Sequence, residues 1–343
     1  MEVSAPNPMI DGKPTLPKEL LQALERLGLV DIGAHISAAP LLGGVSSDIW
    51  RVDRPQGSIV VKRALLKLRV AQYWAAPVER SSHEAAWLKM AGCLLPGVAP
   101  ELLGFDELSG TVAMTYLDPQ DHPSWKQQLM QGVVDPDAAA EVGRRIGLIH
   151  AATADETIWR SAFDNPVMFA SIRLNPYFDA VARQHPDLAN QIDAVRKLVE
   201  SHACVVIHGD VSPKNIHIGP QGPVLLDAEC ATWGDPAFDL AFCLTHLLLK
   251  TLVVPTSADS LYLATSALTS SYRAQVNWEE LETLDRRAAQ ILAVLLLARV
   301  DGKSPVDYLT TDQQAAVRLF ARAQLVIDNT SINDLVRNWI GFP

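Results

Sequence analysis

Two short polar segments, each set against apolar residues, constrain this chain more than any other feature. They are His208-Gly209-Asp210-Val211-Ser212-Pro213-Lys214-Asn215 and, shortly after it, Leu225-Leu226-Asp227-Ala228-Glu229. The second follows the apolar run Pro223-Val224-Leu225-Leu226, which has strand character and would present Asp227 rigidly at a strand end. Phosphoryl transfer from ATP needs this equipment: one carboxylate to receive a hydroxyl proton, and an amide with further carboxylates to hold Mg2+. Magnesium takes hard oxygens in near-octahedral geometry and usually only one or two protein carboxylates, with phosphates and water completing the shell. Asp210 is therefore the candidate base, and Asn215, Asp227 and Glu229 are the candidate metal ligands. A plain polar turn between two buried strands would need no His-Gly-Asp before it.

The chain has 343 residues and 48% hydrophobic content, enough to bury a large core in two or more structural units. Its net charge of -10 comes without any run of Lys and Arg, which argues against nucleic acid as a partner. That charge is compatible with a cationic substrate, although bulk charge mostly reports solubility. Cys93, Cys204, Cys230 and Cys243 show no paired C-x-x-C spacing, so free thiols are expected and neither a zinc site nor a disulfide framework. Residues 1–15 carry prolines and acids but no basic stretch leading into an apolar core, so no secretory signal is expected. The most apolar stretch, 288–298, is too short to cross a bilayer and is flanked by Arg286, Arg287 and Arg299, as suits a buried helix. A cytoplasmic location without membrane attachment is the expectation.

Apolar positions recur at helical spacing from Leu16 to Leu29, behind Thr15 and Pro17 as cap and first turn. Residues 41–52 read as strand, glycine turn and strand, and 58–62 as a third strand. A helical pattern resumes at Ser81, and two more strands are expected at 101–105 and 111–116. Beyond Asp118-Pro119 the pattern is mostly helical, over 137–153, 186–201, 236–250, 258–275, 278–298 and 311–328, interrupted only by short strands around the two polar segments. The expected class is α+β and bilobal: a small β-rich lobe over 1–117, with an N-terminal helix, five strands and one main helix, and a larger α-helical lobe over 118–343. ATP would lie in the cleft between them, the second lobe carrying the catalytic loop and the acceptor-binding helices.

Asp210 and Asn215 stand five residues apart, as do the base and the metal-binding Asn of the kinase catalytic loop. With Glu229 two places after Asp227, and Gly234-Asp235-Pro236-Ala237-Phe238-Asp239-Leu240 beyond, the chain resembles the aminoglycoside phosphotransferase family over most of its length, from Leu41 to about Leu309. That resemblance implies the protein-kinase-like fold and transfer of phosphate from ATP, with Mg2+, to a hydroxyl of a small molecule. It implies Asp210 as base, Asn215 and Asp227 as magnesium ligands, and Asp239 as a brace for the catalytic loop. His208 would orient that loop, and His150 would be a packing residue. Gly43-Gly44-Val45-Ser46-Ser47 resembles the nucleotide loop, whose glycines admit backbone N–H groups to phosphate. Lys62, ending Ile59-Val60-Val61, resembles the β3 lysine on the α/β-phosphates, and Glu84 on the next helix would be its ion-pair partner in preference to Glu79. Met114-Thr115-Tyr116-Leu117 resembles the hinge, where the backbone of Thr115 and Leu117 would meet adenine.

The acceptor is less constrained. A peptide acceptor would need an activation segment ending in Ala-Pro-Glu, and there is no room for one between Asp227 and Asp239. A sugar, aminoglycoside or amino alcohol fits the resemblance. The stretch Lys62 to Arg69, the segment Glu229 to Gly234 and Arg299 resemble methylthioribose kinases. The catalytic loop Val211 to Asn215 departs from them, and Arg299 is preceded by Ala298 where those enzymes have paired arginines, which points to another sugar or polyol. Asp235, Arg299 and Asp301 are candidate acceptor-binding residues, with Trp125, Arg173 and Tyr177 as further wall residues. A nucleotide-binding regulator that has lost turnover is the alternative, disfavoured because Asp210, Asn215, Asp227 and Lys62 are all present. Oligomeric state is not legible.

Overall fold

The computed structural model describes residues 9–10, 13–41, 46–69, 74–327 and 330–342. Strands β1 (Ser37–Pro40), β2 (Ser47–Asp53), β3 (Ile59–Ala64), β4 (Leu102–Asp106) and β5 (Thr111–Thr115) form one antiparallel sheet in the order β1-β2-β3-β5-β4. Successive side chains of a strand face opposite sides, and both sides of this sheet are covered. Helix α1 (Lys18–Arg26) buries Leu20 and Leu24 against Trp50, Val52, Ile59, Val61 and Ala113. Helix α2 (Arg80–Leu94) joins the other side, its Trp87, Leu88 and Met90 sharing a core with Val112 and Met114. Lys62, next to Val61, therefore points to the α2 side, where Glu84 waits. Arg26 locks α1 to the sheet edge by a two-pronged bond to Asp106, at 2.8 and 2.7 Å.

After β5 come α3 (Trp125–Met130), α4 (Pro136–Thr153), a π-helix (Ala170–Asp179), α5 (Ala189–Ser201) and β6 (Val205–Ile207). Strands β7 (Ile216–Gly219) and β8 (Gly222–Leu225) make a hairpin, and β9 (Thr232–Gly234) pairs with β6. The chain continues through α6 (Pro236–Val253), α7 (Ala258–Arg273), α8 (Leu281–Asp301), α9 (Thr311–Gln324) and α10 (Ile332–Ile340). Helix α6 is apolar on nearly all sides, and accordingly it runs through the middle of the large lobe with all residues from Pro236 to Thr251 buried. By length and composition it could cross a membrane, but here it is packed inside the lobe. Helices α4 and α7 approach closely at Gly143, where a Cβ would lie 2.1 Å from the Leu268 carbonyl oxygen. Arg145 of α4 reaches the carbonyls of Gly97 (2.9 Å), Pro223 (2.8 Å) and Gln221, tying the β7–β8 hairpin to the small lobe.

The bilobal α+β class is the observed one, and the strands and long helices lie within a few residues of their expected places. Pro17 occupies the N-cap of α1 without a side-chain cap bond. Several elements had no clear pattern, among them α3, α10, the short helical turns between 157 and 184, and the π-helix, whose Pro176 and wider turn break the 3.6-residue period. Gly43 and Gly44 lie outside the described residues.

Candidate active site

The loop after β6 is shaped by a glycine and a buried acid. Gly209 has φ of +74°, and a Cβ there would stand 2.6 Å from the Cys230 carbonyl oxygen, so only glycine fits. Asp239, in the first turn of α6 and fully buried, accepts the backbone N–H of His208 at 2.7 Å and of Gly209 at 2.8 Å. Behind it, His150 Nε2 lies 3.3 Å from Asp239 and Nδ1 lies 2.9 Å from the Tyr272 hydroxyl. The carboxylate can only accept, so Nε2 carries the proton and Tyr272 donates to Nδ1. His208 is held in the opposite sense to a catalytic acid. Its Nδ1 accepts the Asp210 N–H at 3.2 Å, leaving Nε2–H to donate to the Leu226 carbonyl at 3.1 Å. Burial lowers its pKa, so the ring stays neutral and joins the two polar segments.

Asp210 is thereby presented to the cleft with its side chain 21% exposed. Its Oδ2 accepts from Asn215 Nδ2 at 2.8 Å and pairs with Arg173 Nη2 at 2.9 Å. Arg173, from the π-helix, also donates through Nε to the Gly209 carbonyl at 2.6 Å, so one guanidinium fixes both the acid and the turn before it. Asn215 spends its amide N–H groups on Asp210, which leaves Oδ1 as its hard donor.

Asp227 follows β8 in the left-handed region, φ +66°, a strained conformation for a non-glycine residue of the kind kept at functional sites. Lys62 Nζ binds Asp227 Oδ1 and lies 2.9 Å from both oxygens of Glu84. Burial alone would raise the Asp227 pKa, but the Lys62 ammonium outweighs it and holds the carboxyl at about 2. Burial pushes Glu84 up, offset only in part by the same lysine. Glu229 has its own cation. Arg80, wholly buried on α2 one turn before Glu84, donates to Glu229 Oε2 at 3.1 Å and to the carbonyls of Ser46 (2.6 Å), Leu65 (2.7 Å), Ala76 and Pro77. Ser47 Oγ adds a bond to Glu229 at 3.4 Å, so Glu229 anchors the start of β2 as well as facing the cleft. Among the described residues no cluster of three or more His, Cys, Asp and Glu makes a ready cage for a metal. Asn215, whose backbone carbonyl accepts the Leu226 N–H next to Asp227, instead offers an amide oxygen to go with the Asp227 and Glu229 carboxylates, donors of the type that suits a hard cation whose remaining ligands come from phosphate and water.

A cavity of about 480 Å³ opens between Asp210, Asp227 and Glu229 on one side and the helices of the large lobe on the other. Thr115 closes β5, its N–H donated to the Glu101 carbonyl and its hydroxyl accepting the Glu101 N–H, both at 3.0 Å, and Leu117 follows in the segment that leads to α3. Of the candidate acceptor residues, Arg299, Arg173 and Tyr177 line the cavity. Asp235 and Asp301 do not. Asp235 is fully buried as the N-cap of α6, gripped by Arg287 at 3.0 and 3.1 Å. Asp301 faces Arg318 and His185 on the far side of α8. Trp125 is a core residue, 2% exposed. Sequence reasoning passed over Arg80, Lys126, Lys214, Lys250 and Tyr308, which all border the cavity. Arg80 alone left a readable sign, standing four residues before Glu84 and so on the same helical face.

Residues 37–267 match the model of the phosphotransferase enzyme family APH. Methylthioribose kinase 1 of Oryza sativa subsp. japonica is 25% identical over 268 residues, covering 70% of this chain and 60% of that protein. The chain thus spans about three fifths of the length of that relative. In three dimensions it is similar to a choline kinase from Cryptosporidium parvum (TM-score 0.56, 13% identity, 90% of this chain and 95% of that one). It is also similar to a choline/ethanolamine kinase family protein from Mesorhizobium loti (TM-score 0.53, 15% identity, 93% and 98%). With the match extending from β1 across the catalytic loop into α7, the chain belongs to the APH phosphotransferase enzyme family.

Proposed function

We propose that this protein is a kinase that transfers the γ-phosphoryl group of ATP to a hydroxyl of a small molecule, with Asp210 as base. One observation carries the reading: the Asp210 carboxylate, held by Asn215 and Arg173, faces the same cavity as Asp227, which Lys62 pairs from behind. Lys62 and the loop ending at Ser46 and Ser47 would fix the nucleotide, the backbone of Thr115 and Leu117 would meet adenine, and Glu84 would keep Lys62 in place. Asp227 and Asn215, with Glu229 beside them, would hold Mg2+, which when bound neutralises charge on the β- and γ-phosphates. Asp210 orients the acceptor hydroxyl toward the γ-phosphorus. The hydroxyl oxygen forms the new P–O bond, the bond to the β-phosphate oxygen breaks, ADP leaves, and the proton passes to Asp210. Because the transition state is loose, positioning by Asp210 counts as much as proton removal. The relative and neighbours above are named as kinases of methylthioribose and of choline, small alcohols that agree with the reading.

The test is an ADP-release screen with Mg-ATP across pentoses, amino alcohols, aminoglycosides, nucleosides and sugar acids, followed by mass detection of the product. A product heavier by one phosphoryl group is expected from at least one class. Nucleotide binding without product from any class would favour the regulator.

A further inference from the structure

The end of the cavity remote from Asp227 is built from cations that lack carboxylate partners. Lys126 of α3, Lys250 of α6 and Arg299 of α8 converge there around Tyr308, in the segment after α8. The Lys126 and Lys250 ammonium groups stand 5.8 and 5.2 Å from the Tyr308 ring centroid. Among the described residues, none of the three cations has a carboxylate within ion-pair distance; Arg299 bonds only the Tyr177 hydroxyl (3.0 Å) and Ser304. Elsewhere Arg80 is matched to Glu229 and Arg173 to Asp210 in the cavity wall, and Lys62 to Asp227 behind it, while Lys214 borders the cavity as a further cation with no carboxylate at ion-pair distance among the described residues. The one carboxylate at this end, Asp307, is exposed. Lys250 is 1% exposed, on the same face of α6 as Phe242 and His246, and a buried, unpaired ammonium is costly to keep unless something outside the chain pairs with it. Two donors in this wall, Arg299 Nε and the Tyr308 hydroxyl, are buried without a hydrogen-bond partner. Burial, with Lys126 and Arg299 nearby, lowers the Lys250 pKa to about 7, so the empty site holds that proton weakly and a bound anion would strengthen its hold.

We infer that the acceptor is an anionic alcohol, its hydroxyl at Asp210 and a carboxylate or phosphate group at the other end held by Lys126, Lys250 and Arg299. This rests on the phosphotransferase reading. A continuous wall joins the two ends: Arg173 pairs with Asp210 and lies 5.7 Å from the Tyr177 ring centroid, and the Tyr177 hydroxyl accepts from Arg299. A cationic acceptor would meet like charge at this end, and a neutral polyol would leave the ammonium groups unpaired.

The experiment compares ribose, ribose 5-phosphate, ribonate and choline as acceptors for the wild type and Lys250→Met, by ADP release with Mg-ATP. The better anion is expected to exceed ribose in kcat/KM by about tenfold or more, as befits a charged hydrogen bond, and Lys250→Met should cut that preference to about twofold. Whichever anion is preferred identifies phosphate or carboxylate as the group recognised. A kcat/KM for ribose or choline above both anions overturns the inference and leaves phosphoryl transfer standing. Should no acceptor be phosphorylated, the kinase reading suffers, and calorimetry on the protein saturated with Mg-ADP decides the anion site. Binding of ribose 5-phosphate or ribonate that weakens by about tenfold in Lys250→Met supports it; binding of neither, or binding indifferent to the substitution, overturns it.

Discussion

At the scale of single residues, the motif chemistry was legible and the partnerships were not. Asp210 and Asn215 stand at the spacing of a kinase catalytic loop, with Asp227 ending the apolar run after them, so the residue types mark all three as candidates, and the structure brings Asn215 onto Asp210. Lys250 could not be found that way, because it acquires meaning only from burial beside Tyr308, and Arg80 showed only its helical register with Glu84, its partner Glu229 coming from tertiary contact. Asp235 misled for a related reason. Its acidity and its place after Gly234 suit a ligand to an acceptor, yet it satisfies the N-terminal amides of α6 and pairs with Arg287. Lys250 carries a stability prediction. Its ordinary value of 10.5 falls to about 7 in the fold, chiefly through burial. Between those limits the unfolded chain binds a proton that the folded chain does not, so the lysine's destabilising effect is complete below pH 7 and fades as the pH rises toward 10.5. Lys250→Met should therefore be more stable than the wild type at pH 7, by about 1 kcal/mol or more in urea unfolding, with the gap closing in alkaline buffer. A gap that does not change with pH would mean that the ammonium is not desolvated.

Among the elements, periodicity located the sheet, α2 and the long helices of the large lobe, because each buries one stripe or is apolar throughout. It could not locate the π-helix. That element has Pro176 within it and brings Arg173 onto Asp210 through tertiary contact, leaving no repeating pattern to read. The start of α6 shows how an element fixes a site. Asp239 collects the His208 and Gly209 amides, and its neighbours His150 and Tyr272 come from α4 and α7, so three helices determine where the loop stands. Asp239→Asn keeps the shape but sets a new donor among donors, which should cost about 1–3 kcal/mol of stability. It should also lower kcat while the KM for ATP changes little, since Asp239 braces the loop of Asp210 and touches neither Lys62 nor the hinge. Thermal melting and steady-state kinetics check both parts, and an unchanged kcat would remove Asp239 from the support of the base.

For the whole molecule, the two-lobed layout followed from the shift from strands to helices after Asp118, while the acceptor did not follow from bulk charge. A net charge of -10 is compatible with a cationic substrate, yet one end of the cavity gathers Lys126, Lys250 and Arg299. Net charge sums over a surface, whereas the charge inside a cavity depends on a few side chains, here brought from α3, α6 and α8. The cleft itself depends on contacts no single segment encodes, above all Lys62–Asp227 and Arg80–Glu229, which span the two lobes. The central claim is that Asp210 positions and deprotonates a hydroxyl for attack on bound ATP. Its most direct test is rapid-mixing, single-turnover transfer of labelled γ-phosphate to an accepted alcohol by the wild type and Asp210→Asn, alongside nucleotide affinity. Transfer slower by about a hundredfold to ten-thousandfold, with ATP bound as tightly as before, is the predicted result; transfer at a near-normal rate would contradict it.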